Sequence, residues 1–177
     1  MLDLGNVSDL TSDQAATALA RFANITGTAA EDYERLGSTI VALGNNFATS
    51  ESEITNMASR LAAAGELANL SEADIMGLAA AMSSVGIEAE AGGTAMTQTL
   101  TAMEKAVTSG GEKLDQFAQI AGMSCQEFSR AWSEEPITAI QAFISGLGGL
   151  DEKGESATAV LEELGLSGIR QSNMLKS

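Results

Sequence analysis

Carboxylates are the only reactive side chains this sequence holds in quantity: 177 residues carry Asp+Glu 24 against Lys+Arg 9, with one cysteine and no histidine. Two acids facing each other across a groove are the equipment of a glycosidase or lytic transglycosylase, one of them protonating the leaving oxygen. Glu88 and Glu90 are placed for such a use, because they lie beside Gly92-Gly93, where an exposed binding surface can form. The other acids read differently. Glu31, Glu51, Glu53, Glu72, Asp74, Glu112, Glu127, Glu134 and Glu135 fall in the first turns of expected helices. There the helix dipole and the unpaired N–H groups favour a negative charge by about 0.3–1 kcal/mol.

Other chemistries lack their partners. Without histidine there is no Ser-His-Asp or Cys-His nucleophile system and no common zinc site. Cys125 follows the expected helix cap Ser124, where a helix dipole can lower a thiol pKa, but with no base to pair with it reads as a packed or half-exposed first-turn residue. No Asp-x-Asp-x-Asp-Gly loop is present, and the acids do not cluster at ligand spacing. Gly146-Leu147-Gly148-Gly149 lacks the Lys-Ser/Thr and preceding strand of a phosphate loop, so it reads as a helix end. The expectation is a chain with no catalytic residue, no metal and no cofactor.

Charge narrows the partners. A net charge of −15 and scattered cations cannot neutralise a phosphate backbone or hold an anionic membrane, so no nucleic-acid partner is expected. No apolar run is long enough to span a bilayer. A lone thiol and the absence of a signal-peptide pattern fit a reducing cytoplasm as the place of synthesis.

The elements that must position these groups are helical. The chain has 30 alanines and 18 leucines against five valines, five phenylalanines, one tyrosine and one tryptophan, a usage that favours helix and starves sheet. The expected fold is all-α, an up-down bundle of short capped helices. Six capping boxes, in which a Ser or Thr and the acid or amide three residues later satisfy each other's backbone N–H, predict helix starts at Thr11/Gln14, Thr28/Glu31, Ser50/Glu53, Ser71/Asp74, Ser109/Glu112 and Ser124/Glu127. Each contributes about 1 kcal/mol.

Ser50-Glu51-x-Glu53-Ile54 reappears 21 residues later as Ser71-Glu72-x-Asp74-Ile75, and Gly44, Gly65 and Gly86 keep the same interval. This is a weak repeat of one capped helix per unit, with glycine expected to end each. Gly92-Gly93 is either a hinge before the next helix or a bare spot in its first turns. Ser109-Gly110-Gly111 is the expected boundary between an Ala-rich bundle over 1–109 and a short-helix segment over 110–177. In the second segment helices are expected over 112–121, 126–133, 136–147 and 156–164, with Pro136 in a first turn where its missing N–H is harmless. Phe128 and Trp132, four residues apart, share a face and read as core, as do Met57, Met76, Met82, Met96 and Met103.

The run LGNNFATSESEI (43–54), RLAAAG (60–65), SVGIEAEAGGTAM (84–96), EFSRAW (127–132) and ELGLSGIR (163–170), in that order, resembles the phage tail tape measure family of the minor tail protein type. The resemblance spans about Ala15 to Arg170. It implies a helical domain in the N-terminal part of a much longer chain that lies in the tail tube, sets tail length during assembly and is released through the tail at infection. The implied partners are tail tube, tail tip or baseplate and tail assembly chaperone proteins, together with self-association. Gly44, Asn45, Asn46, Gly65, Gly86, Gly92, Phe128, Trp132 and Arg170 stand at motif positions and are expected to be structural. A ruler gains about 1.5 Å per residue of unbroken helix, so the recurring glycines put the measuring part elsewhere in the parent chain. The competing readings are a small carbohydrate-active domain of lytic transglycosylase type using Glu88 or Glu90, and an acidic helical adaptor or effector.

Overall fold

The computed structural model of the chain describes residues 9–150 and 156–166. Among these residues the regular structure is all helical, with no strand. It comprises α1 (Ser12–Thr26), a 3-10 turn (Ala30–Asp32), α2 (Tyr33–Asn46), α3 (Glu51–Leu67), α4 (Glu72–Ser84), α5 (Ala89–Ser109), α6 (Glu112–Ile120), α7 (Cys125–Glu134), α8 (Pro136–Gly148) and α9 (Ala157–Glu163). The all-α expectation is met, and the last four helices lie within a residue or so of their expected spans.

Four boxes start helices as the sequence predicts: Thr11/Gln14 on α1, Ser50/Glu53 on α3, Ser71/Asp74 on α4 and Ser124/Glu127 on α7. Two do not. The Thr28 hydroxyl donates to Glu72 instead, at 2.9 Å, and a 3-10 turn without a side-chain cap leads into α2. Ser109 is absorbed as the last residue of α5, and α6 starts after Gly111 at φ 78, a left-handed conformation that an L side chain resists. Pro136 takes the first position of α8 and leaves Glu135 as the sole link from α7.

The glycines spaced by 21 residues have three different jobs. Only Gly86, at φ 78, follows a helix end; Gly44 lies inside α2, and Gly65 is buried inside α3. The end of α3 falls to Asn69 at φ 56, since asparagine is the side chain that best tolerates the left-handed region. The Gly146-to-Gly149 stretch does end its helix as expected, with α8 closing at Gly148 and Gly149 as its cap.

The described chain forms two compact units, one of residues 9–67 and 71–94, the other of 68–70 and 95–166. The division falls within α5 rather than at Ser109-Gly110-Gly111. In the first unit α3 packs on α4 and α1, and α2 lies against α4 and α3. Its core combines small side chains, with Ala58, Ala62, Ala79 and Ala80 fully buried, with Phe22, Leu19, Ile40, Ile54, Leu61, Met57 and Met76. In the second unit α6, α7 and α8 pack on one another. Each supplies one fully buried ring: Phe117 stacks on Phe128 at 6.2 Å between centroids and meets Phe143 at 5.1 Å.

Candidate functional site

The first motif run folds into a corner between α2 and α3. Short connections reverse the chain from α1 to α2 and again from α2 to α3, so α1 and α3 start at the same end of the first unit. Asp9, just before α1, shows this directly: its carboxylate accepts hydrogen bonds from the backbone N–H of Ser52, at 3.0 Å, and from the Ser52 hydroxyl. Burial works against the ionised form there, but the bonds from the Ser52 hydroxyl and backbone, with one from Ser50, outweigh it and hold the Asp9 carboxyl below its ordinary value. The N-terminus of α3 thus has its anion supplied from within the chain.

Glu51 folds back over Gly44. A Cβ at Gly44 would stand 2.6 Å from a carboxylate oxygen of Glu51, a residue with 8% exposure. One repeat later, the equivalent Glu72 takes the Thr28 hydroxyl. Glu72 therefore ties the start of its helix to an earlier part of the chain by a hydrogen bond, and Glu51 packs the start of its helix against Gly44, roles that the first-turn reading missed. Thr49 adds a further tie by donating to Ser83 at 2.8 Å. Asn45 and Asn46 lie exposed at the end of α2, and the Asn46 amide donates to the carbonyl of Ala42 at 2.7 Å.

Gly92 and Gly93 are not a hinge, since α5 begins before them at Ala89. They are bare, buried spots. A Cβ at Gly92 would stand 2.5 Å from Ile87 and 2.9 Å from Met82, and one at Gly93 would stand 2.5 Å from the Cβ of Arg60. The start of α5 consequently lies directly on the stem of Arg60. Beside that contact a groove of about 860 Å³ opens between α1, α3 and the residues leading into α5, and it is walled in part by Arg21, Asn56, Arg60, Glu88 and Glu90. Glu88 and Glu90 are both exposed in it. The structure thus joins the two acids singled out in the sequence to two arginines that were not. The signal that could have found them is the matched position of Arg21 and Arg60, each nine residues beyond the first residue of its helix.

In the second unit Phe128 and Trp132 are both buried, and the Trp132 indole N–H donates to Glu104 at 2.7 Å. Cys125 is a half-exposed first-turn residue of α7. Its thiol donates to Asp115 at 2.8 Å, and that bond, with some desolvation and the nearby negative charge, raises its pKa, whereas a helix N-terminus alone would lower it. A thiol held in its protonated form is a poor nucleophile. On the same helix, bonds from the Ser124 backbone and hydroxyl hold the Glu127 carboxyl below its ordinary value. Arg170 lies outside the described residues. Among the described residues, no three His, Cys, Asp or Glu side chains are grouped to hold a metal ion, and no helix is long and apolar enough to cross a membrane.

The motif residues within the described chain are therefore helix ends, close contacts and core. A family model for phage-related minor tail proteins matches residues 1–165. No curated protein and no solved structure matches the chain. With nearly the whole sequence covered by that match, the chain belongs to the phage-related minor tail protein family and is a structural protein of the phage tail.

Proposed function

We propose that this chain is a compact module of a tape measure protein, held in the lumen of the tail tube, where its longer parent sets tail length during assembly and leaves through the tail at infection. The observation that carries this reading is the ordered series of motif runs resembling the tape measure family, within a chain matched over residues 1–165 to phage minor tail proteins. The fold is consistent with a module that adds bulk rather than length. Its longest described helix has 21 residues, about 32 Å, whereas all 177 residues in one helix would reach about 265 Å. The work of the module is then shape and contact, without catalysis, and its partners are tube, tip or baseplate and assembly-chaperone proteins.

Electron microscopy of tails from a phage carrying altered parent genes tests this. Deleting unbroken helical sequence outside the module should shorten tails by about 1.5 Å per residue removed. Deleting residues 9–166 should instead block or misdirect assembly. Infectious tails of normal length formed without residues 9–166 would overturn the proposal.

A further inference from the structure

Arg21, Arg35 and Arg60 are the cations among the described residues of the first unit. Arg35 is paired with Asp32 at 3.1 Å. Arg21 and Arg60 make no ion pair, and both line the groove between α1, α3 and the start of α5. Both are exposed, and in a unit crowded with acids they are the two guanidinium groups left free for a ligand. Gly93 lets α5 rest on the Arg60 Cβ at a position where any side chain would collide, so the base of the Arg60 side chain is held against α5 while the residue stays exposed. Helices α1 and α3 start at the same end of the unit and pack together, and Arg21 and Arg60 each lie nine residues beyond the first residue of their helix.

The rest of the lining selects the class of ligand. At about 860 Å³ the groove has room for a chain segment. No aromatic side chain lines it, which removes the stacking platform that a sugar or a nucleotide base requires. Asp13, Glu88 and Glu90 share the lining with the two arginines, so a polyanion would meet three negative charges for two positive ones. A polypeptide carrying both signs satisfies every wall, with its carboxylates bidentate on Arg21 and Arg60, its cations on Glu88 and Glu90, and a backbone group on Asn56. We infer that this groove is a docking site for a mixed-charge polypeptide segment of a partner protein. The inference rests on the groove alone and does not depend on the length-setting role proposed above.

Nuclear magnetic resonance titration of the 177-residue chain with three short synthetic peptides of equal length, one of mixed Glu and Lys, one of Glu and one of Lys, tests it. The mixed peptide should shift the Arg21, Asn56 and Arg60 side-chain signals and bind at least about tenfold more tightly than either other peptide. Binding should weaken about tenfold in R21Q/R60Q and also weaken in E88Q/E90Q, with helix content retained in both, since all four side chains are exposed. Equal or tighter binding of the Glu peptide would make this a simple anion site. Preference for the Lys peptide would mean general attraction to an acidic surface. Either result, or shifts that do not localise to the groove, overturns the inference.

Discussion

The unit of residues 9–67 and 71–94 and the unit of 68–70 and 95–166 solve the same packing problem with different side chains. Among its described residues the first buries one ring, Phe22, with alanines, leucines, isoleucines and methionines. Its register is fixed by polar ties from one element to another, Asp9 to Ser52, Thr28 to Glu72 and Thr49 to Ser83. The second buries three phenylalanine rings from three short helices, and the rings themselves set how those helices meet. Helices of 9, 10 and 13 residues are too short to persist alone, and large buried side chains make up for that. A bundle with few aromatics must specify itself by hydroxyls, carboxylates and missing Cβ atoms, whereas an aromatic cluster specifies itself by volume.

The largest effect expected from breaking this contrast is at the centre of the ring cluster. Phe117→Ala removes the ring that touches both others and should cost about 3–5 kcal/mol in urea unfolding, with hydrogen-exchange protection lost first over α6, α7 and α8. Next is Gly146→Ala. A Cβ there would stand 1.7 Å from the Ile120 carbonyl oxygen, a backbone atom that cannot swing away, so a loss of about 1–3 kcal/mol or more is expected. In the first unit, Ser71→Ala removes a complete capping box and should cost about 1 kcal/mol, read as a lower urea midpoint.

The smallest effect should be the response to acid. The Asp9 and Glu127 carboxyls both titrate below their ordinary values in the folded chain, so each contributes stability at pH values above the unfolded pKa and loses it as pH falls through the folded pKa. Stability should therefore decline on acidification through the lower carboxylate range. Asp9→Asn should flatten that decline where the first unit is observed, and Glu127→Gln where the second is.

The sequence is legible where one residue type answers to one local need. Ser71 with Asp74, Ser124 with Glu127 and Pro136 at a first position each do what their chemistry dictates, because a helix start needs only its own residues. It is least legible where a residue answers to something distant. Gly44, Gly65 and Gly86 look alike in spacing, yet only Gly86 serves the backbone conformation of a turn, while Gly44 makes room for a carboxylate seven residues on. Thr28 reads as a cap and is taken by Glu72, and Cys125 reads as a plain first-turn residue with no sign of its tie to Asp115. The groove was half visible: Glu88 and Glu90 stood out beside the glycine pair, but Arg21 and Arg60 join them only through the packing of α1, α3 and α5.

The central claim is that the motif residues act by what packs against them. One chemical change made at two glycines of the first unit, each within a helix, tests it most directly. Gly77 has nothing within 4 Å of the position a Cβ would take, so Gly77→Ala should raise stability by about 0.5–1 kcal/mol through helix propensity. Gly92 would meet Ile87, Met82 and Met57 at 2.5–3.0 Å, so Gly92→Ala should lower it by about 1–3 kcal/mol. Urea midpoints moving in opposite directions are the predicted result, and midpoints moving in the same direction would contradict the account.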